Sequence, residues 1–242
     1  MPSAAEEAIL GAAGSAGACV VSHPLDTARA RQALGLGVRA GPSLASGMGV
    51  AMAYNVVLNG ARFGGLSVST ASGADEGLSG FVAGGLSGYI AAPLARARTL
   101  LQTSSSGGGS WHALLGGGGA FAGASAWALR SASHSGVIFA VRARALPAIE
   151  RAAPEWTPSS VVHLAASLQA SLVSCLLVNP LDVVATRLQA GPAAGGGGAP
   201  ASIVACVLRG GLYGGLAANA ARVVPHTCLT FSIVEALRSR LT

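Results

Sequence analysis

Long apolar segments alternate along the chain with short stretches rich in Gly, Ser and Pro. A helix that crosses a bilayer needs about 20 mainly apolar residues, so the length of the chain allows roughly six such helices with short loops. The stretches rich in Gly, Ser and Pro lie at about 69–76, 104–118, 147–158 and 191–201, and we expect the linkers there. The pattern therefore predicts a protein built from membrane-spanning helices.

Three of the apolar segments share a pattern of small residues that ends in a Pro-Leu pair. The prolines are Pro24, Pro93 and Pro180. Residues four apart lie on one face of a helix, and small residues let membrane helices pack closely. We therefore predict three helices with a common packing face, each kinked at its proline. The positions 13, 9 and 5 residues before the prolines hold Gly11, Ser15 and Cys19, then Gly80, Gly84 and Gly88, then Ser167, Ser171 and Cys175.

A second apolar segment follows each of these three. Each second segment has a tyrosine or an arginine nine positions before a phenylalanine: Tyr54 and Phe63, Arg130 and Phe139, Arg222 and Phe231. The order of segments therefore predicts three helix pairs. We place these repeats at about 5–68, 76–146 and 158–241.

Composition places the chain among membrane proteins and disfavours several other classes. It is 51% hydrophobic and 10% charged, with a mean hydropathy of +0.57, which is too apolar for an ordinary soluble domain. The net charge is +6, but the arginines are scattered, which disfavours nucleic-acid binding. The four cysteines form no CxxC pair, so no metal site is predicted. No nucleophile–base pair is recognisable, so we expect neither an enzyme nor a cofactor.

Charged residues interrupt the apolar pattern just after the prolines. The second and fifth residues after each proline are three apart, so they share a helix face. A charge within a membrane span is costly unless it is paired or in contact with water, so we expect each one to meet a neighbour. These positions hold Asp26 and Arg29 in the first repeat, Ala95 and Arg98 in the second, and Asp182 and Ala185 in the third.

The three helix pairs, with the pattern P-x-[DE]-x-x-[KR] at matched places, resemble the mitochondrial carrier family over essentially the whole chain. Three short segments are similar to the oxaloacetate-type carriers of that family: "YNVVLNGARFG" (54–64), "PLDVVATRL" (180–188) and "PHTCL" (225–229). The connection "LGLGVRAGPS" (34–43) departs from the family, which has an amphipathic helix there.

The resemblance implies one carrier domain over residues 1–242. Its fold is an all-α membrane protein with six transmembrane helices in three pseudo-threefold pairs, whose odd-numbered helices are kinked at proline. The helices surround a cavity that opens alternately to the two sides of the membrane. The resemblance further implies a monomer in the mitochondrial inner membrane, with cardiolipin as a candidate lipid partner.

A gate on the matrix side follows if each acid pairs with the base of the next odd-numbered helix. Asp26 then pairs with Arg98, and Asp182 with Arg29. The third pair is missing on both sides, as Ala95 and Ala185, so no charge is left without a partner. We predict a gate of two ion pairs that closes the matrix end; the alternative is that these pairs are static.

Other polar residues extend the predicted gates. Gln102 and Gln189 lie nine residues after their prolines and could brace the matrix-side ion pairs. On the cytoplasmic side, the family pattern [FY]-[DE]-x-x-[KR] keeps its charges only in the last repeat, as Glu235 and Arg238. These two residues form either a gate or a solvated pair at the end of a helix.

Arg130 and Arg222 are the strongest candidates for binding a substrate. A guanidinium deep in a membrane helix is costly unless it lines a wet cavity or meets an anion. Two arginines from different helices suit a small dianion, because guanidinium binds carboxylates through paired hydrogen bonds. Tyr54 occupies the position on the second helix that matches these two arginines. Asn55, Asn59 and Arg62 lie close to it in the sequence. Tyr54 and these amides could contact a keto or hydroxyl oxygen, although Arg62 could instead extend its side chain to the membrane surface.

His134 and His226 occupy matching positions in the second and third repeats. They are either polar helix-packing residues or proton relays. We therefore predict a transporter of small anionic metabolites, with oxaloacetate, other dicarboxylates and sulfate as candidates. The alternative is a scaffold or adaptor protein that keeps the carrier fold without transport. The expected partners are the small anion and the lipid bilayer.

Overall fold

The computed structural model describes residues 3–33, 42–103, 119–121, 123–154, 160–190, 204, 207 and 210–240. Within these residues the regular structure is entirely helical, which confirms the all-α prediction for this part of the chain. The elements are α1 (Ala4–Ala33), a 3-10 turn (Pro42–Ala45), α2 (Met48–Ala71), α3 (Glu76–Ile90), α4 (Ala92–Thr103), α5 (Ala124–Ala152), α6 (Ser160–Ala190) and α7 (Leu216–Arg238). The predicted linkers at 104–118 and 191–201 lie outside the described residues.

Two helices are long and apolar enough to cross a membrane, over Ala4–Gln32 in α1 and Val161–Gln189 in α6. The bent pair of α3 and α4 makes a third candidate among the described residues. Helices α2, α5 and α7 have 24, 29 and 23 residues, which is a sufficient length. Polar residues lower their hydropathy, and the prediction of six spans remains a prediction.

The three prolines occupy two kinds of position. Pro24 and Pro180 lie inside α1 and α6, and both helices continue through them. Near Pro93 the helix is interrupted instead. Helix α3 ends at Ile90, α4 begins at Ala92, and the two are bent by 64° relative to each other. Pro93 is thus the second residue of a new helix, where its missing N–H costs little. The kinks at Pro24 and Pro180 remain predictions.

The helices pack as a closed ring around a common interior. Helix α1 contacts α2 on one side and α7 on the other, and α3 lies between α2 and α5. Helix α6 completes the ring between α5 and α7, while α4 contacts α1, α2 and α6. Side chains from all of these elements can therefore meet on the axis of the ring.

The small residues of the predicted packing faces are all buried. Gly84 shows why size matters, since a Cβ atom added there would lie 2.4 Å from Ser135 Oγ and 2.6 Å from the Ser131 carbonyl oxygen. Gly88 is similarly close to Ser131, at 2.5 Å. Helices α3 and α5 are thus in near-backbone contact, as expected where lipid gives no hydrophobic drive for helices to associate.

The linker predicted at 147–158 begins later than the sequence indicates. Helix α5 continues through Pro147 to Ala152. The residues around the proline are mainly Ala, Leu, Glu and Arg, which favour a helix. Arg151 Nε also donates a hydrogen bond of 2.9 Å to the Pro147 carbonyl oxygen. The local helix propensity thus outweighs the single proline.

Candidate anion-binding cavity and gates

A cavity of about 60 Å³ lies inside the helix ring. None of the described residues that line it is an Asp or a Glu. Five arginines line this central cavity, one from each of five helices: Arg29, Arg62, Arg98, Arg130 and Arg222. Guanidinium groups stay protonated in proteins, so the cavity wall is strongly positive. Such a wall favours an anionic ligand.

Asp182 is the first of two carboxylates that lie just behind this wall. Its Oδ1 accepts a hydrogen bond of 2.5 Å from Arg130 Nε and lies 3.4 Å from Arg29 Nη2. Its Oδ2 accepts a hydrogen bond of 2.9 Å from Asn219 Nδ2. Asp182 is only 2% exposed. One carboxylate of α6 therefore holds side chains of α1, α5 and α7.

Asp26 is the second carboxylate, and its surroundings are similar. Arg98 Nη1 lies 3.4 Å from its Oδ2, and Arg222 Nε lies 3.4 Å from its Oδ1. Gln102 Nε2 donates a hydrogen bond of 2.8 Å to Oδ2. Asp26 of α1 thus holds side chains of α4 and α7. Both acids predicted for the gate lie within ion-pair distance of the bases that the sequence assigned to them.

The substrate candidates Arg130 and Arg222 each lie beside a carboxylate of the chain itself. In this structure Arg130 shares Asp182 with Arg29, and Arg222 lies beside Asp26. A carboxylate offers about four acceptor sites, so one acid can serve two guanidinium groups. The cavity interior screens charge poorly, and both arginines gain from this pairing. Gate and substrate candidates therefore form one polar network.

The third gate position is apolar on both helices. Ala95 of α4 and Ala185 of α6 are both fully buried in one cluster that also contains Tyr54 and Trp127. The third ion pair is thus replaced by apolar packing, since Ala95 stands at the acid position and Ala185 at the base position. Near this position, Thr99 Oγ1 donates a hydrogen bond of 3.3 Å to Gln189 Oε1.

Two aromatic rings lie against the arginines. The Arg98 guanidinium carbon lies 4.4 Å from the centre of the Tyr54 ring, and that of Arg130 lies 5.1 Å from the Trp127 ring. Such cation–π contacts are worth about 2 kcal/mol when desolvated. Trp127 is absent from the sequence-based site, although it precedes Arg130 by three residues and so shares its helix face.

Asparagines orient two of the arginines. Arg62 Nη1 donates a hydrogen bond of 2.9 Å to Asn59 Oδ1, and Arg222 Nη2 donates one of 3.2 Å to Asn219 Oδ1. Asn219 is a functional candidate that the sequence-based list lacks. The repeated pattern N-x-x-R, in "NGAR" (59–62) and "NAAR" (219–222), is the signal that identifies it. Asn55 also lines the cavity, but its amide nitrogen donates to the Ala51 carbonyl oxygen at 2.8 Å.

The matched histidines His134 and His226 line the central cavity, and each contacts a serine on the next helix. His134 Nδ1 lies 2.7 Å from Ser174 Oγ, and His226 Nδ1 lies 2.9 Å from Ser22 Oγ. These contacts join α5 to α6 and α7 to α1. They fit the helix-packing interpretation, and a role as proton relays stays a hypothesis.

A layer of three phenylalanines closes one end of the central cavity. The ring centres of Phe63, Phe139 and Phe231 lie 5.7–6.0 Å apart, so each ring contacts the other two. The same three residues also line a second cavity of about 790 Å³. The phenylalanine layer therefore separates the small positive cavity from a larger one, which we call the outer cavity.

The outer cavity contains the predicted cytoplasmic-side pair. Arg238 Nη1 contacts Glu235 Oε2 at 3.2 Å, but Arg238 Nη2 also donates two hydrogen bonds to Glu7, at 2.8 and 2.9 Å. The pair is therefore part of an ionic link between α7 and α1, and both of its side chains are about one-third exposed. Arg142 lies nearby, 3.0 Å from His163 and 4.3 Å from the centre of the Phe231 ring. Glu7, Arg142 and His163 were not predicted.

Comparison with known proteins gives one finding. Residues 157–242 match a protein family described as "Mitochondrial carrier protein". No sequence among the curated proteins matches the chain. The matched range includes α6 and α7, and with them Asp182, Asn219 and Arg222. The match favours a solute transporter and assigns no substrate.

Proposed function

We propose, with the carrier match over residues 157–242 as the premise, that the protein is a transporter of small organic anions. It works by alternating access in the mitochondrial inner membrane, as a bundle of six spans. Oxaloacetate and other dicarboxylates are the leading substrates, and sulfate is an inorganic candidate. The observation that supports this proposal best is the convergence of five arginines, four of them buried, on one cavity that no carboxylate of the described residues lines.

The anion is expected to bind by replacing the aspartates. Arg130 Nε donates a hydrogen bond to Asp182, and Arg222 Nε lies 3.4 Å from Asp26. A dicarboxylate that enters the cavity offers both arginines new partners with the same geometry. Each aspartate then keeps only one arginine partner, Arg29 for Asp182 and Arg98 for Asp26. Substrate binding therefore weakens the network that closes the matrix end.

The size of the central cavity supports a coupled rearrangement. About 60 Å³ holds only four to six waters at roughly 10–15 Å³ each. Oxaloacetate and malate each have nine non-hydrogen atoms, so we expect side chains to move when either ligand enters. The aspartate-bound arginines are the groups whose movement both enlarges the cavity and opens the gate.

Access from the opposite side requires a different change. The rings of Phe63, Phe139 and Phe231 must separate to join the two cavities. The link between Arg238 and Glu7 holds α7 against α1 at this end. We assign the phenylalanine layer and this link to the cytoplasmic-side closure. The two closures then lie on either side of the arginines, as alternating access requires.

Uptake into proteoliposomes tests the proposal. Counter-flow of labelled oxaloacetate, malate, malonate and sulfate is measured with the full chain, and we expect at least one dianion to accumulate. Arg222→Ala should abolish this uptake while the protein still melts cooperatively. Arg144→Ala removes an exposed arginine of α5 and is the matched control. A folded protein that takes up none of these anions would favour a non-transporting scaffold.

A further inference from the structure

Asn219 lies in the first turn of α7, behind the wall of the central cavity. It is 1% exposed and is not among the described residues that line the cavity. Its Oδ1 accepts a hydrogen bond of 3.2 Å from Arg222 Nη2, and its Nδ2 donates one of 2.9 Å to Asp182 Oδ2. Nδ2 also donates to Asn179 Oδ1 at 3.1 Å. One amide thus contacts both a substrate candidate and a gate acid.

The chemistry of its two neighbours explains why an amide stands at this position. A guanidinium only donates hydrogen bonds, and a carboxylate only accepts them. An amide satisfies both when its oxygen faces Arg222 and its nitrogen faces Asp182, as in this structure. A carboxylate at position 219 would repel Asp182, and an apolar side chain would bond to neither neighbour. Asparagine is therefore suited to join the two charges.

The other copy of the N-x-x-R motif behaves differently. In α2, Asn59 also accepts a hydrogen bond from the arginine three residues later, but its Nδ2 donates to the Asn55 carbonyl oxygen of its own helix, at 3.2 Å. The side-chain nitrogen of Asn219 instead reaches two residues of α6. The link from an arginine to the gate is thus a property of Asn219 and not of the motif.

Asn219 joins the two ionic clusters of the matrix end. Asp26 and its arginines form one cluster, and Asp182 and its arginines form the other. Arg222 belongs to the first cluster, since its Nε lies 3.4 Å from Asp26 Oδ1. The hydrogen bonds of Asn219 connect Arg222 to Asp182, and so connect the clusters. Contiguous networks of this kind carry energetic coupling between sites.

We propose that Asn219 is a positioning residue that transmits anion binding at Arg222 to the gate carboxylate Asp182. When Arg222 leaves Asp26 for the anion, Asn219 follows because its Oδ1 is bonded to the guanidinium. Its Nδ2 is then drawn away from Asp182, which loses a buried hydrogen bond. Both gate acids therefore loosen in one event rather than independently. This inference rests on the proposed function, because it takes Arg222 to contact the anion.

A thiol at the third gate position reports on this event without a need for transport. Ala185 is fully buried and lies three residues after Asp182 on α6, so a thiol there should react with a maleimide only when α6 separates from α4. Ala185→Cys is placed in the full-length chain after its four native cysteines are replaced by alanine. The detergent-purified protein is labelled with and without oxaloacetate, malate, malonate or sulfate.

Saturating anion should open the reporter site. A ligand that binds the folded state raises the melting temperature, so melting establishes which anion binds and at what concentration it saturates. We expect at least one of the four to raise the melting temperature of the reporter protein and to accelerate its labelling several-fold.

Asn219→Ala should keep anion binding and lose this response. We expect the anion to raise the melting temperature still, while the labelling rate no longer depends on it. Asn219→Leu keeps the approximate volume of the side chain and should behave in the same way. It serves as a second variant if the alanine protein does not fold.

Asn179→Ala is the matched control. It also removes a buried amide, with its hydrogen bonds to the Leu212 carbonyl oxygen and to Asn219, but it leaves the path from Arg222 to Asp182 intact. We expect a comparable loss of stability and a labelling response like that of the unsubstituted reporter. A response that Asn219→Ala retains would overturn the inference, as would an equal loss of response in Asn179→Ala.

Uptake into proteoliposomes separates this inference from the proposed function. Anion uptake, together with a labelling response that does not need Asn219, would leave transport standing and refute the role of Asn219. A response that depends on Asn219, without uptake of any of the anions, would refute transport alone. If none of the four anions bound to the reporter protein, both proposals would be overturned.

Discussion

Asp182→Asn removes a carboxylate that two arginines share. Asp182 is 2% exposed, receives a hydrogen bond from Arg130 at 2.5 Å and lies 3.4 Å from Arg29. Asparagine keeps the shape of the side chain and the contact with Asn219, but it has no charge. The substitution therefore leaves two buried guanidinium groups without their counter-ion and raises the positive excess of the cavity.

The expected loss of stability is large. Removing one partner of a buried ion pair typically costs about 3–5 kcal/mol, because the remaining charge stays buried. For a chain of 242 residues, 1 kcal/mol shifts the melting temperature by roughly 2–4 °C. We therefore expect the melting temperature of Asp182→Asn to fall by about 6–20 °C. The cation–π contact of Arg130 with Trp127 survives and offsets a small part of this loss.

Melting of the detergent-purified protein provides the assay, with Glu150→Gln as the control. Glu150 is an exposed acid on α5, so its replacement changes the charge equally but should alter stability by no more than about 0.5 kcal/mol. A dianion should also stabilise Asp182→Asn more than the wild type, since the freed arginines no longer have to leave an aspartate. A fall no larger than that of the control, or an unchanged ligand effect, would refute the shared-carboxylate argument.

Two further predictions concern the closures at the two ends of the cavity. Ala95→Asp combined with Ala185→Arg supplies the missing third ion pair, and we expect the initial rate of counter-flow to fall several-fold while substrate affinity is retained; an unchanged rate would show that the ion pairs do not gate. Phe139→Ala opens a hole in the phenylalanine layer, so liposomes that contain it should leak preloaded malate, whereas Phe139→Leu should not. Retention of malate by liposomes that contain Phe139→Ala would show that the phenylalanine layer is not a barrier.

The helices and their packing faces could be predicted from the sequence because both follow from helix geometry. A spacing of four places Gly80, Gly84 and Gly88 on one face, and this face meets α5 closely. The acid–base partners at Asp26 and Asp182 also follow from position, since matched places in a repeat occupy matched places in a ring. Local spacing was sufficient for the packing faces, whereas the acid–base partners also required the threefold arrangement that the family resemblance implied.

Contacts that depend on the side chains of several helices could not be predicted in this way. Arg130 has no acid within reach along its own helix, and its partner Asp182 lies 52 residues away. Glu7 and Arg238 are 231 residues apart, and neither lies in a pattern that would pair them. Hydropathy alone identifies α1 and α6 as spans but not α5 and α7, because polar side chains such as Arg130 in α5 and Asn219 and Arg222 in α7 make these two helices less apolar.

The alanines at the third gate position make the closure of the ring unequal. Separating α1 from α4 or from α6 pulls a carboxylate away from an arginine, at Asp26 or at Asp182. Between α4 and α6 the helices lose van der Waals contact at Ala95 and Ala185 and one uncharged hydrogen bond, from Thr99 to Gln189. We therefore expect the matrix end to open as a lateral cleft between α4 and α6, with α1 as the hinge, rather than as an iris that widens evenly.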